Sequence, residues 1–152
     1  MIQAVQQIDK NSRVVNSNEA ISLESAWTFA ALTTGAVGAH TLFTVTGNCL
    51  VNIWAIGMTT VTGSGTGKVG TANNTTGFIT TTTGTNIVGG YVWQNATPTQ
   101  DMGAVITMPK PITAANIILT IVSNTFTGGV VNFYCQYRPL NNTSYITAAT
   151  PA

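Results

Sequence analysis

Val130-Val-Asn-Phe-Tyr-Cys-Gln-Tyr137 alternates with a period of two. Val131, Phe133, Cys135 and Tyr137 share one side, and Val130, Asn132, Tyr134 and Gln136 share the other. Successive side chains of a strand point to opposite faces, so this stretch is predicted as a β-strand. Gly128-Gly129 provides a turn before it and Pro139 closes it.

The same logic extends outward. His40-Thr-Leu-Phe-Thr-Val-Thr46 is β-branched and aromatic and ends at the turn pair Gly47-Asn48. Cys49 to Thr62 follows, with Cys49, Val51, Ile53 and Ala55 on one face and Leu50, Asn52, Trp54, Ile56 and Met58 on the other. Both faces are largely apolar, which predicts a central strand or one whose second face meets another subunit. Gly63-Ser-Gly-Thr-Gly67 reads as a flexible loop, and Lys68–Ala72 and Phe78–Thr83 as weaker, Thr-rich strands. Further strands are expected at 86–94, with a bulge or tight bend at Gly89-Gly90, at 104–108 and at 116–122. Short strands joined by Gly-, Asn- and Thr-rich turns predict an all-β fold, an antiparallel β-sandwich of jelly-roll type. No internal repeat of fixed period is present.

The chain has 152 residues, enough for one domain with a real core. Hydrophobic residues make up 44%, an ordinary value, but charged residues only 6%, against about 25% in typical domains. The formal net charge is +1. A surface this poor in charge is either neutral Thr, Asn and Ser or covered by other subunits, and a mixture of the two is expected. Lys10, Arg13, Lys68, Lys110 and Arg138 are scattered, so the cation cluster that nucleic acid or an anionic membrane requires is missing. The first residues show no secretory signal and no apolar run spans a bilayer, so synthesis in a cytoplasm is expected.

Charge also divides the chain. Asp9, Lys10, Arg13, Glu19 and Glu24 lie in the first stretch. Residues 1–25 are therefore separated as an extended or irregular N-terminal arm, and residues 26–152 as the sandwich domain. A short helix over 19–32 fits poorly, because Ile21, Leu23, Trp27 and Phe29 miss the helical period.

Candidate chemistry is sparse. Gly65-Thr-Gly-Lys-Val-Gly70 matches G-x-G-x-x-G, but Thr71-Ala-Asn-Asn-Thr-Thr-Gly77 is a poor helix, and a dinucleotide site needs a helix N-terminus there. Thr62 and Val69 break the P-loop pattern. A hairpin loop is the expected role. His40 is the one histidine and Asp101 the one acid after Glu24; no nucleophile elbow supports a hydrolase built on them. Cys49 and Cys135 are expected to be buried free thiols, with a disulfide open only if their strands are neighbours. Neither a metal site nor a cofactor site is expected, and no enzymatic activity. The aromatics, among them Trp54, Trp93 and Tyr134, read as core or subunit-interface residues, with a sugar-stacking platform as the other reading.

The order of His40-Thr-Leu-Phe-Thr-Val-Thr-Gly47, Leu50-Val-Asn-Ile-Trp-Ala-Ile56, a Thr/Gly-rich centre, Asn116-Ile-Ile-Leu-Thr-Ile-Val122 and Gly128–Leu140 resembles small structural proteins of tailed-bacteriophage virions, of the capsid decoration or cement type. The likeness covers roughly residues 40–140. It implies a β-sandwich, often a homotrimer, bound on the outer capsid surface to the major capsid protein lattice and made in the host bacterial cytoplasm. Val14, Val15, Ile21 and Leu23 of the arm would then be capsid or intersubunit contacts. The alternative is a tail- or neck-associated part, or a capsid-spike adhesion module that binds host glycans through exposed Trp or Tyr.

Overall fold

The computed structural model describes residues 6–8, 14–16, 20–100 and 109–151. Two short strands, β1 (Gln6–Ile8) and β2 (Val14–Asn16), pair with each other antiparallel. The remaining strands are β3 (Ile21–Thr28), β4 (Gly38–Thr46), β5 (Asn48–Thr62), β6 (Thr66–Thr71), β7 (Asn74–Thr83), β8 (Val92–Trp93), β9 (Lys110–Thr113), β10 (Ile117–Val122), β11 (Gly128–Pro139) and β12 (Tyr145–Ala148). A single 3-10 turn, Gly84–Asn86, is the one helical element among the described residues.

These strands form two antiparallel five-stranded sheets that make a β-sandwich. One runs β3-β11-β5-β8, with β9 also on β5; the other runs β12-β4-β10-β6-β7. The pairings are nested: β3 with β11, β4 with β10, β5 with β9, and β6 with β7. The chain therefore folds like one long hairpin wound into two layers.

The β5 and β11 alternation holds residue by residue. Val131, Phe133, Cys135 and Tyr137 point inward opposite Gly57, Ala55, Ile53 and Val51, and all eight are buried. Ile117, Leu119, Ile121, Val69 and Ile79 supply the facing layer. On β4 a register shift lets two successive residues, Leu42 and Phe43, both turn into the core, which is the geometry of a bulge. Phe126 fills the end of the core, edge-on to Phe29 with ring centroids 5.0 Å apart.

Four boundaries differ from the sequence reading. Strand β3 runs through residue 25, where arm and domain were divided. Glu24 and the inward Ser25 disguise a strand whose other inward positions, Ile21, Leu23 and Trp27, line the core. Residues 86–94 are not one strand. Gly90, at φ +83, turns the chain so that its N–H donates to Gly57, and only Val92–Trp93 pair with β5. Strand β9 forms despite Pro111, because it pairs on one side only. Strand β12 is four residues long and carries too little alternation to be read. The strand expected at 104–108 lies outside the described residues.

Candidate functional site

The glycine-rich stretch is a packing device. Thr66–Thr71 is strand β6, so no helix N-terminus follows the glycines. A Cβ on Gly65 would lie 2.0 Å from the Asn124 carbonyl oxygen, and one on Gly67 would lie 3.0 Å from the Phe126 ring. The glycines let the backbone lie against Phe126 and the loop before it. The loop is also held, by Gly84 N–H donating to the Gly65 carbonyl and Asn124 Nδ2 donating to Ser64 Oγ.

The His40 ring is used structurally. Its Nε2–H donates to the Ala36 carbonyl at 2.8 Å, which fixes the proton on Nε2 because a carbonyl can only accept. The imidazole packs edge-on against Trp27 at 5.9 Å. Asp101 lies outside the described residues. Among the described residues no buried side-chain nitrogen or oxygen lacks a hydrogen-bond partner, and no group of three or more His, Cys, Asp or Glu gathers.

Cys49 and Cys135 are both buried and free. Their strands are neighbours, but Cys135 lies opposite Ile53, four residues from Cys49, which places their Cα atoms on the order of 13 Å apart, too far for a disulfide. Loss of solvation pushes the Cys49 thiol up to about 11. Burial, with a smaller push from Cys49, raises Cys135 further. Both are protonated and unreactive at neutral pH.

The aromatics divide between the two sides of one sheet. Trp93 is fully buried; its indole Nε1–H donates to Thr82 Oγ1 at 2.8 Å and its ring packs edge-on to Phe133 at 5.9 Å. The reading of Trp93 as an interface aromatic is therefore corrected: it belongs to the core, where Ala55 is its cross-strand partner. Trp54 and Tyr134 face outward. They are direct cross-strand partners on β5 and β11, half-buried, with rings nearly parallel at 13° and centroids 5.7 Å apart. Such an offset stack stabilises by about 0.5–1.5 kcal/mol beyond area burial.

Around this stack lies a defined surface. Leu50, Asn52, Ile56 and Met58 continue it along β5, and Asn132 and Gln136 along β11. Asn132 Nδ2 donates to Glu24 Oε1 at 2.6 Å, tying β3 to β11 across the same face. Met58 is 53% exposed. Beside the stack is a hollow of about 230 Å³, lined by Ala20, Leu50, Asn52, Pro109, Gln136, Tyr137 and Arg138. A sandwich exposed on both sides normally puts polar and charged residues outward. The apolar outward residues of β5 thus mark this face as the candidate interaction surface.

The arm residues singled out from sequence fall in two places. Val14 and Val15 lie on β2, paired with Ile8 and Gln7; their side-chain contacts lie outside what the structure describes. Ile21 is 6% exposed within the core, and Leu23 packs against that core. Ile21 as a capsid or intersubunit contact is therefore corrected, because its side chain is enclosed by the sandwich itself.

No family model matches the chain, and no curated protein matches it either. Among solved structures, a chain of the cyanophage Pam1 capsid asymmetric unit is similar, with a TM-score of 0.33 and 16% identity over 80% of this chain and 86% of that one. A likeness this loose carries no inference about what the present chain does. No described helix is long and apolar enough to cross a membrane.

Proposed function

We propose that the chain is a non-enzymatic structural subunit of a phage virion, which decorates and reinforces the capsid by binding the major capsid protein lattice on its outer surface. The observation that carries this reading is the exterior of the sandwich. Across residues 20–100 and 109–151 the charged residues are Glu24, Lys68, Lys110 and Arg138, and on the outer side of one sheet strand β5 presents Leu50, Trp54, Ile56 and Met58. Such an exterior suits a protein that works covered by other subunits. The two packed antiparallel sheets of the sandwich suit a rigid building block.

In this reading the residues before β3 reach the lattice. They hold Asp9, Lys10, Arg13 and Glu19, a denser charge than the body has. The test uses empty shells of the phage that carries the chain, stripped of their outer proteins, with co-sedimentation and shell melting temperature as readouts. The full chain is expected to co-sediment and to raise the melting temperature. A chain lacking residues 1–19 is expected to stay folded and to lose attachment. The cut falls there because strand β3 begins at Ile21 and a cut after residue 25 would remove part of the sheet. Failure of the full chain to bind the shells would overturn the reading; binding without residues 1–19 would overturn the role given to them.

A further inference from the structure

The register of the β3-β11-β5 sheet sets its outward side chains in cross-strand rows. Glu24, Tyr134 and Trp54 form one row; Ser22, Gln136 and Asn52 form the next; Arg138 and Leu50 form the one after. The bulk of the face, the Trp54–Tyr134 stack, is in the first row. The hollow of about 230 Å³ lies over the second and third, between Leu50, Asn52, Gln136 and Arg138. The two charges on these rows have opposite sign, Glu24 in the first and Arg138 in the third. Acid and base are thus two rows apart along the strands, and the hollow begins one row from the aromatic stack.

We propose that this face pairs with the same face of a second copy, across a two-fold axis that lies in the interface and crosses the strands near the Gln136 row. That rotation reverses strand direction but keeps β3, β11 and β5 in the same lateral order. The first row of each copy then lands on the third row of the other. Trp54 enters the partner's hollow against Leu50. Tyr134 lies over the guanidinium of Arg138, a cation–π contact, with Glu24 one strand away and within reach of the same charge. Every contact occurs twice, as an isologous interface requires. A different protein could match the shape or the charge, but here both halves of each match stand on one surface.

The size of the face sets the strength. Three strands over about nine residues present on the order of 400 Å² per copy. A standard interface buries about 800 Å² per partner, so the pair is weak and concentration-dependent. This inference is independent of the virion reading, and it gives a two-fold pair where the resemblance implies a trimer.

Sedimentation velocity of the full chain over roughly three decades of concentration tests it. The expected result is a monomer–dimer equilibrium with no larger species. Trp54→Ala removes the aromatic side chain that would fill the hollow and is expected to weaken pairing by at least about tenfold, as loss of a buried aromatic anchor does. Leu50→Trp fills the hollow and is expected to weaken it comparably, with circular dichroism showing that both variants remain folded. A monomer at every concentration, a trimer, or a dimer whose strength neither substitution moves would each overturn the proposal.

Discussion

The outward positions of the two sheets differ in kind although their inward positions are alike. Across β3, β11 and β5 they include Glu24, Asn132, Tyr134, Leu50, Trp54 and Ile56. Across β12, β4, β10 and β6 they include Thr147, Thr44, Thr41, Ile118, Thr120 and Lys68. Inward, both sheets present Val, Ile, Leu and Phe. The core therefore says only that the chain is a sandwich. The threonine face explains how the exterior is hydrated with so few charges, since neutral hydroxyls replace ions there. The aromatic face is the one whose composition the packing of the described core does not require.

The strongest way to break this contrast is to compare Trp93 with Trp54. The two tryptophans belong to one sheet but to opposite sides of it. Trp93→Ala opens a cavity beside Phe133 and removes the indole N–H from which the Thr82 hydroxyl accepts, and should destabilise by about 3–5 kcal/mol. Trp54→Ala should destabilise by less, because only part of its side chain is buried and its stack with Tyr134 adds about 0.5–1.5 kcal/mol to that burial. Urea unfolding of both variants checks this. Equal losses would place Trp54 in the core and remove the outer face as a candidate surface.

The glycine stretch gives the next largest effect. Gly65→Ala drives a Cβ against the Asn124 carbonyl oxygen at 2.0 Å, where backbone must move, and should cost about 1–3 kcal/mol. Added nucleotide should leave the melting temperature of the native chain unchanged. A rise on adding nucleotide would restore the phosphate-binding reading.

Much of this division was legible and some was not. Strands β5 and β11 could be read because their inward residues alternate without a break. Which face of β5 turned inward could not be read, because Cys49-x-Val51-x-Ile53 and Leu50-x-x-x-Trp54-x-Ile56 are equally apolar; the answer lies in pairing with β11 and in Trp93 capping Ala55. The same ambiguity made Trp54 and Trp93 look alike. Strand β3 was missed because its edge position allows Glu24 and Ser22 outward, which reads as a polar arm. The hollow at Arg138 was not legible at all. It depends on the starts of β3 and β9 meeting the end of β11, far apart in sequence.

Both thiols lie on the inward side of the aromatic-faced sheet, so they report on its core without touching its outer face. A Cys49 thiol held near 11 keeps its proton in the folded chain at a pH where the unfolded chain, at 9.0, has begun to lose it. Stability from this source is full below pH 9 and falls as pH rises toward 11, and Cys135 adds to the same slope. Unfolding midpoints should therefore drop over that window, and a Cys49→Ala, Cys135→Ala double variant should drop less steeply. Alkylation by iodoacetamide should reach neither thiol at neutral pH until the chain unfolds. Prompt labelling of the folded chain would mean that the sheet opens more readily than its packing implies.

The smallest effect belongs to the threonine face, and it is the most direct control on the aromatic one. Thr44 and Thr147 are cross-strand partners on β4 and β12 and both point outward. Replacing them together, Thr44→Lys with Thr147→Glu, puts an ion pair where two hydroxyls stood. Exposed pairs of this kind change stability by about 0.2–1 kcal/mol. Neither residue lies on the Trp54 face, so sedimentation of this variant should match that of the unaltered chain. If the substitution abolished self-association while Trp54→Ala left it intact, the roles of the two faces would be reversed: the hydroxyl surface would be the contact, and the aromatic stack a local brace between β5 and β11.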